Sequence, residues 1–422
     1  MKKNLENKRV KWAQYKRDME LYNADPKHYA KAELSNEEAE EYNEAFQEGI
    51  NKIYSVIEER CSTDKFNNKR FSLWFQRQSA RNRFQSSIIR HIQGQEYIPI
   101  VFELSEGCSV GCDFCCLAAK KLKKVYRYTD EHAKMWRDIL EISNNILGDI
   151  TGFAVCYFAT EPFDNPDYEK FISDFKDRFH HVPQTTTAVS QRDVKRTKAY
   201  LNSLDIEDLS TSAVRFSVTS LEQLEKIHNS FTPEELYYVE LLMNNPESFN
   251  CYSKSGRAFE LSEELEDKQF LESASSVCTN GFVVNLPNGS VQLIKVRRPD
   301  NEFTKGMQVL DECRFESADE YENILEQMIY KWMPEKMPYD KSFPLADYIS
   351  YKWTGSRLVI RGDGISRTIV ADGAVKEGLN LFLDKRKTVN EVLQTVGMSE
   401  HDEFKFLNYV ELFYRSGYLE EN

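Results

Sequence analysis

Short runs rich in β-branched and aromatic residues alternate with longer polar segments of helical periodicity from about residue 96 onwards. Six such runs occur in the order IPIVFEL, ITGFAVCYFA, QTTTAVS, SAVRFSVTS, LYYVELLM and GFVVNL. Strands separated by helical segments are typical of βα repeats, in which helices wrap a parallel sheet. The pattern therefore predicts an α/β fold with its chemistry at the carboxyl ends of the strands.

The chain before these repeats has the pattern of a helical region, and we assign it to residues 1–95. Ser35 and Glu38 form a capping-box pattern at the start of a helix that is predicted to continue to about residue 57. A basic, aromatic stretch that begins KRFSLWFQ is interpreted as a solvated amphipathic helix. This region is therefore expected to be a helical extension of the repeats.

The repeats and the segment after them are assigned to residues 96–335 and 336–422. The sixth run leads through Asn288-Gly289 into VQLIKV, which predicts a β-hairpin annex at the end of the repeats. The last segment has a strand-turn-strand pattern in RLVIRGDGISRTIVADG, followed by helical segments. Thr388 and Glu391 form a second capping-box pattern there. This order of elements predicts a winged-helix-like domain.

Composition and charge exclude several classes of function. With 41% hydrophobic residues in 422, the chain can bury a sizeable core. Its net charge of −13 opposes a nucleic-acid partner, because such partners are held through their phosphates. It has neither a signal-peptide pattern nor eighteen consecutive apolar residues, so no secretion and no membrane span are expected. Five of the nine cysteines are scattered, which indicates a reducing, cytoplasmic compartment.

The other four cysteines lie within nine positions, directly after the first predicted strand. Cys108, Cys112 and Cys115 have the spacing CxxxCxxC, and Cys116 lies outside that pattern. A zinc site normally takes four ligands from two separated pairs, whereas only one group of cysteines occurs here. Three thiolates can hold three irons of a 4Fe–4S cluster and leave the fourth open. The spacing favours one 4Fe–4S cluster, with a zinc knuckle or an apolar loop as the alternatives.

The CxxxCxxC spacing after a first strand resembles the motif of radical S-adenosylmethionine (SAM) enzymes. The resemblance implies that the open iron binds SAM, which is cleaved to a 5′-deoxyadenosyl radical that abstracts a hydrogen atom from the substrate. It also implies an external electron donor. The FATEPFDNP segment is similar to the family's Gly-Gly-Glu-Pro element without its two glycines, and it implies SAM contacts by Ala159, Thr160 and Glu161.

Several ordered blocks between about residues 65 and 320 resemble the radical SAM epimerases of proteusins and other ribosomal peptides. They include RQSARNRFQ, TTTAVSQRD and RFSVTSLEQLEKIHNSFTPEEL. The resemblance implies a partial (β/α)6 barrel and conversion of L-residues to D-residues in a precursor peptide. It further implies that Thr186, Thr187, Arg215 and Ser217 hold the carboxylate and ribose of SAM. The 336–422 segment is loosely similar to the RiPP recognition element, a domain that binds a precursor's leader peptide.

An epimerase needs a second hydrogen donor on the opposite face of the substrate, and a thiol is the usual one. Cys278 is preferred because it opens the sixth predicted strand, beside the expected barrel mouth, and Cys313 is the reserve. The resemblance implies a donor cysteine shortly after VQLI, where this chain has KVRRPDN and no thiol. Two alternatives therefore stay open: a radical SAM enzyme that crosslinks peptides through carbon–carbon or thioether bonds, and a non-catalytic Fe–S protein that senses peptide or redox state.

Overall fold

The computed structural model describes residues 2–42, 44, 65–85, 98–211, 214–249, 252–261, 270–271, 277–362 and 365–421, which form a mixed α/β structure. The helices are α1 Lys2–Ala24, α2 Lys69–Gln85, α3 Asp130–Leu147, α4 Tyr168–Phe179, α5 Val194–Ser203, α6 Ile206–Thr211, α7 Leu221–Ser230, α8 Arg257–Leu261, α9 Ala318–Trp332, α10 Gly373–Lys385, α11 Val389–Thr395 and α12 Glu400–Arg415. Among the described residues, 3-10 helices also cover Asp149–Phe153, Pro162–Asp164 and Leu286–Asn288. None of the described helices is long and apolar enough to cross a membrane.

The strands form five sheets. In chain order they are β1 Ile98–Glu103, β2 Ser105–Glu106, β3 Lys124–Val125, β4 Thr185–Thr187, β5 Val214–Val218, β6 Val239–Met243, β7 Tyr252–Ser253, β8 Phe270–Leu271, β9 Thr279–Asn285, β10 Ser290–Val296, β11 Met307–Arg314, β12 Ser350–Thr354, β13 Arg357–Gly362 and β14 Ile365–Val370. The largest sheet has the order β1-β9-β10-β11, and β4-β5-β6 form a second sheet. Within the described part of the chain these are separate sheets, so the barrel implied by the resemblance stays a prediction.

Parallel pairing places the sixth predicted strand beside the first. β9 runs parallel to β1, with Glu103 opposite Asn285, and β10 returns antiparallel to β9. The turn between β9 and β10 is the 3-10 helix Leu286–Asn288, closed by Gly289 in the left-handed conformation. The carboxyl ends of β1 and β9 therefore lie at the same edge of this sheet.

The second predicted strand, in ITGFAVCYFA, is not a strand. Residues Asp149–Phe153 form a 3-10 helix, and only a single bridge between Val101 and Val155 joins the segment to β1. The backbone N–H of Ala159 donates to the Glu103 carboxylate at 2.8 Å. Because a side chain takes this N–H, it is not available for a strand ladder.

Helix α2 was expected to be solvated, but it packs into the interior. Its Phe71 ring stacks on Phe282 of β9, and Trp74 is fully buried. The side chains of Arg77 and Arg81 are only 3% and 1% exposed. The expectation was wrong because the carboxylates that pair with these arginines lie more than 300 residues away in the sequence.

Residues 337–419 have an apolar core of their own, separate from the core that spans residues 24–333. The sheet β12-β13-β14 is antiparallel, and α10, α11 and α12 follow it. Thr388 and Glu391 form the capping box of α11 that the sequence indicates. At the other end of the chain, Ser35 and Glu38 make the corresponding pair of hydrogen bonds, residues 36–42 are helical, and the rest of that predicted helix lies outside the described residues.

The chain's last residues return to the larger core and form a C-terminal latch, which consists of Glu420 and Glu421 with Arg77, Arg81 and Lys295. Arg77 donates to both carboxylate oxygens of Glu421, and Arg81 donates to Glu420 at 2.6 Å. Lys295 of β10 donates to Glu420 at 3.1 Å and also contacts the carbonyl oxygen of Glu421. Burial, with Arg81 adding to the effect, lowers the pKa of Lys295 to about 8.

Candidate functional site

The loop of three cysteines is fixed to the chain that follows it by backbone hydrogen bonds. The N–H of Cys108 donates to the carbonyl of Lys120 at 2.8 Å, and the N–H of Leu122 donates to the carbonyl of Cys108 at 3.1 Å. Gly107 precedes it with φ +84°, and a Cβ there would lie 2.5 Å from the carbonyl oxygen of Lys121. Only glycine allows this close approach, which holds Cys108 at the base of the loop.

The three thiols are half-buried, and Cys108 and Cys115 lie close enough to Cys112 to affect its pKa. Burial, together with the neighbouring sulfurs of Cys115 and Cys108, raises the pKa of Cys112 to about 12. Backbone N–H groups point at two of the sulfurs, from Val110 to Cys108 and from Ala119 to Cys115, each at 3.4 Å. Such N–H contacts are typical of sulfur atoms that carry negative charge in an iron–sulfur site.

The donor set is three thiols on one loop, and thiolates are the ligands that iron–sulfur clusters take. A single ion needs its ligand atoms within about 2.0–2.6 Å of one point. No group of three His, Cys, Asp or Glu side chains in the described residues meets that need. A 4Fe–4S cluster instead takes each thiolate on a separate iron, so its ligands stay further apart. Cys108, Cys112 and Cys115 could hold such a cluster, and this assignment stays a prediction.

Arg257 braces the cysteine loop from a distant part of the chain, and the sequence pattern did not identify it. Its guanidinium donates to the carbonyl of Cys112 at 2.7 Å and to that of Ala119 at 2.8 Å. Its backbone N–H donates to the carbonyl of Cys115 at 3.0 Å. Gly256, with φ +58°, lets this contact form, since a Cβ would lie 2.4 Å from the same oxygen. The hydrogen-bond acceptors for Arg257 are all backbone carbonyls. Every residue has a backbone carbonyl, so the residue types in the loop cannot indicate this contact.

A polar cluster joins the cysteine loop to the loops after the predicted second and third strands. The backbone N–H and the hydroxyl of Ser109 both donate to the Asp164 carboxylate, at 2.8 and 2.5 Å. Arg192 donates to Asp164 at 2.7 Å and to the Ser109 hydroxyl at 2.6 Å. The cluster therefore fixes three loops at one place.

Glu161 lies inside the neighbouring loop and is 4% exposed. Its carboxylate accepts the N–H groups of Phe163 and Ala188 at 3.1 and 2.9 Å, and it also interacts with the Thr187 hydroxyl. Burial raises the pKa of Glu161 to about 7 despite these hydrogen bonds. Glu161 thus joins its own loop to β4 and the residue after it, whereas Ala159 and Thr160 beside it are half-buried.

Arg215 organises the polar face of the parallel sheet β4-β5-β6. It donates to Thr186 at 2.9 Å, to Tyr157 at 2.9 Å and to Gln184 at 2.5 Å. Thr186 pairs with Arg215 in register, so their side chains share a face, and Ser217 follows two residues later on that face. These half-buried hydroxyls and the guanidinium could hold the polar groups of SAM.

Thr187 lies on the other face of this sheet. It pairs in register with Phe216, which is fully buried. The Thr187 hydroxyl accepts the N–H of Val189 at 3.1 Å. Thr186 and Thr187, which the resemblance grouped together, are therefore separated: one lies beside Arg215 and the other beside Glu161.

Cys278 lies away from the cysteine loop, contrary to the expectation that it would lie beside the barrel mouth. Its carbonyl accepts the N–H of Ile98, the first residue of β1, at 2.8 Å. Because β9 and β1 are parallel, Cys278 is at the amino end of β1, and about 17 Å of strand separates it from the carboxyl end. The thiol does lie near Arg215, whose charge opposes the rise in the pKa of Cys278 that burial causes.

Cys313 lies on β11, on the face of the large sheet that packs against helices. It pairs in register with Val291, which pairs with Val284. Val284 in turn pairs with Phe102, whose ring contacts Trp136 of α3. Paired residues share a face, so Cys313 is on the helix side of the sheet. The structure does not bring Cys313 together with the other candidate residues.

Comparison with known proteins gives no assignment of function. No family model matches the chain. An uncharacterised protein, y4wI of Sinorhizobium fredii, is 29% identical over 361 residues, which cover 84% of this chain and 69% of that protein. The crystal structure of BtrN in complex with AdoMet and 2-DOIA covers 46% of this chain and 72% of its own at 14% identity, with a TM-score of 0.32. A TM-score this low does not establish a shared fold.

Proposed function

We propose that this chain is a radical SAM enzyme that modifies a ribosomally synthesised precursor peptide, and that its reaction is L-to-D epimerisation. The observation that carries the proposal is the cysteine loop itself. Three half-buried thiols with CxxxCxxC spacing follow a parallel strand, and the Ser109–Asp164–Arg192 cluster joins their loop to two neighbouring loops. A cofactor held by these thiols would lie where loops that follow successive predicted strands come together.

In this proposal Cys108, Cys112 and Cys115 hold one 4Fe–4S cluster. SAM lies against Ala159, Thr160, Thr186, Arg215 and Ser217, while the buried Glu161 and Thr187, which the resemblance also implied, hold the neighbouring loops in place. When bound, the cluster and SAM supply one-electron chemistry that removes a hydrogen atom from the peptide. Glu103 accepts the N–H of Ala159 and Glu161 accepts the N–H of Phe163, which keeps the shape of this loop fixed when ligands bind.

We further propose that the C-terminal segment, residues 336–422, binds the leader of the precursor peptide. Its sheet has two edge strands, β12 and β14, and a peptide can pair with an open edge by adding a strand. Hydrogen exchange on the full chain would test this with the precursor encoded by a neighbouring gene. The leader should protect amides of β12 or β14 but not those of the central β13. Unchanged exchange at both edges would rule the site out.

A second candidate is peptide crosslinking, which is favoured by the distance of both candidate donor thiols from the cysteine loop, while the nearness of Cys278 to Arg215 favours epimerisation. Cys278 is at the far end of β1 from the cysteine loop, and Cys313 is on the helix side of the sheet. If epimerisation is nevertheless the reaction, a Cys278→Ala enzyme should still form 5′-deoxyadenosine but little D-residue, while Cys313→Ala should act like the parent. Normal D-residue formation by both variants would exclude both thiols as essential donors.

The decisive experiment uses the full chain, reconstituted with iron and sulfide without oxygen and mixed with SAM, dithionite and the precursor peptide. A radical SAM enzyme forms 5′-deoxyadenosine, whereas a non-catalytic Fe–S sensor forms none. Epimerisation in D2O should add about one dalton per modified site and leave the mass unchanged in H2O. Crosslinking would instead make the peptide about two daltons lighter in either solvent.

A further inference from the structure

A strip of lysines lies on the surface beside the cysteine loop. Lys120, Lys121, Lys123 and Lys124, here called the lysine strip, are all exposed. The chain as a whole has a net charge of −13, so the strip is a positive region on an acidic protein. Such a concentration of one charge beside a candidate redox centre is a feature that the proposed function does not use.

The strip cannot move independently of the cysteine loop. Lys120 accepts the N–H of Cys108 through its carbonyl at 2.8 Å, and Lys123 donates its N–H to the carbonyl of Glu106 at 2.8 Å. Gly107 lies against the carbonyl of Lys121, where a Cβ would be too close to fit. The lysine side chains are therefore displayed at a fixed position next to the segment that carries Cys108.

Most of the charge on the strip is not neutralised by its neighbours. Lys123 forms an exposed ion pair with Glu106 at 3.3 Å, and Lys124 donates to the Asn288 side chain at 3.4 Å. Among the described residues, Lys120 and Lys121 form no ion pair. Asp113 on the cysteine loop and Asp130 are the nearest carboxylates in sequence on either side of the strip, and both are exposed. The strip therefore keeps a net positive charge toward solvent.

We propose that the lysine strip is the docking surface for an acidic one-electron donor protein, an inference that rests on the proposed function. One electron passes from the reduced donor to the cluster, so the donor is oxidised by one electron, the cluster is reduced by one, and no bond or proton is exchanged. The net negative charge of the chain as a whole opposes non-specific association with an acidic donor. Attraction at the strip alone would orient the donor toward Cys108.

A charge-reversal variant tests this surface. Lys120→Glu, Lys121→Glu, Lys123→Glu and Lys124→Glu are combined in one chain, and reduced flavodoxin serves as an acidic one-electron donor. The matched control combines Lys195→Glu, Lys336→Glu, Lys341→Glu and Lys352→Glu, which are also exposed and give the same net charge. Binding is measured by biolayer interferometry from about 50 to about 300 mM salt. Cluster reduction is followed by electron paramagnetic resonance.

The strip variant should bind flavodoxin at least about tenfold more weakly at low salt and lose most of the salt dependence, whereas the control keeps both. Its cluster should be reduced slowly by flavodoxin but at the parent rate by dithionite, which needs no docking surface. Equal losses in both variants, or parent-like binding by the strip variant, would overturn the proposal. If the parent protein forms no 5′-deoxyadenosine with dithionite, the proposed function is refuted. The binding measurement then still shows whether the lysine strip selects an acidic protein.

Discussion

At the scale of single residues, the three cysteine sulfurs carry the chemistry that the sequence predicts. Replacing Cys108, Cys112 and Cys115 together with Ala should abolish iron binding, because the three thiols are the complete protein ligand set in this assignment. Iron and sulfide content after anaerobic reconstitution measures the effect. Cys116→Ala is the control, since it removes a thiol from the same loop but outside the spacing. Iron retained by the triple variant, or roughly eight irons in the parent, would contradict a single cluster.

Arg257 is a residue of the candidate site that the structure identifies and the sequence did not. Arg257→Lys keeps the charge but cannot reach the carbonyls of both Cys112 and Ala119, because an ammonium lacks the planar fork of a guanidinium. We expect a loosened loop, with a cluster that is lost to a chelator several times faster and a local cost of about 1.5–3 kcal/mol. Absorbance decay in the presence of the chelator measures the loss rate.

The control for this prediction is Arg314→Lys, an exposed substitution on β11 that leaves the loop untouched. The rate of cluster loss should separate the two variants even if both fold and load iron normally. Equal rates in Arg257→Lys and the parent would show that the two carbonyl contacts do not hold the loop. That result would leave the three thiols as cluster ligands.

At the scale of secondary-structure elements, local patterns predicted local structure and missed long-range partners. The capping box of α11 depends on residues three apart, and the sequence was sufficient to find it. The second strand was predicted from apolar residues in ITGFAVCYFA, yet the Ala159 N–H bonds to Glu103, 56 residues away. A hydrophobic pattern indicates which residues are buried but not which groups their backbone will meet.

Local sequence patterns also identified part of the candidate site and missed the part that depends on long-range strand pairing. The spacing of the cysteines and the residue types of Thr186, Arg215 and Ser217 were visible in the sequence, and the structure places those last three on one face. The separation of Thr187 follows from strand alternation. The distance of Cys278 from the cysteine loop required knowing that β9 lies parallel to β1, which is a pairing of strands about 180 residues apart.

The latch between the chain's end and α2 gives a prediction at the element scale. Burial alone would raise the pKa of Glu420, but the cations of Arg81 and Lys295 outweigh it and hold that pKa below its usual value. A carboxyl with a lowered folded pKa stabilises the protein above its unfolded pKa of about 4.3 and loses that contribution as pH falls through the lower, folded value. Acidification below about pH 4.3 should therefore weaken the latch.

The Glu420→Gln variant tests the contribution of the Glu420 charge to stability. The free energy of unfolding, from urea titrations, should fall by about 3–5 kcal/mol at pH 7, because Arg81 and Lys295 are left buried without this partner. The difference from the parent should shrink as the pH is lowered below about 4.3. Glu326→Gln, at an exposed site of α9, is the control and should behave as the parent. A constant difference across this range would contradict the role of the Glu420 charge.

At the scale of the whole molecule, two apolar cores are joined by this ionic latch. Deleting residues 336–422 would remove both carboxylates and also Tyr348 and Tyr414, so Arg77 and Arg81 would lose their ionic partners and the rings that cover them. We expect the shortened chain to unfold at a lower temperature than the parent by ten degrees or more, about the effect of several kcal/mol in a chain of this size. Differential scanning calorimetry measures this.

Glu420→Gln in the full chain is the comparison for the deletion, since it removes one carboxylate and keeps the second core. Its melting temperature should fall between those of the parent and the shortened chain. A shortened chain as stable as the parent would show that the larger core does not depend on the latch. Leader binding is therefore better tested with the full chain, where a loss of affinity cannot arise from damage to the larger core.

The position of the latch also affects how the protein is made. Glu420 and Glu421 are synthesised more than 100 residues after Lys295 of β10 and more than 300 residues after Arg77 and Arg81 of α2. These three cations are therefore without both carboxylates while the residues between are made. The larger core can complete its ionic contacts only after the smaller core at residues 337–419 has been synthesised.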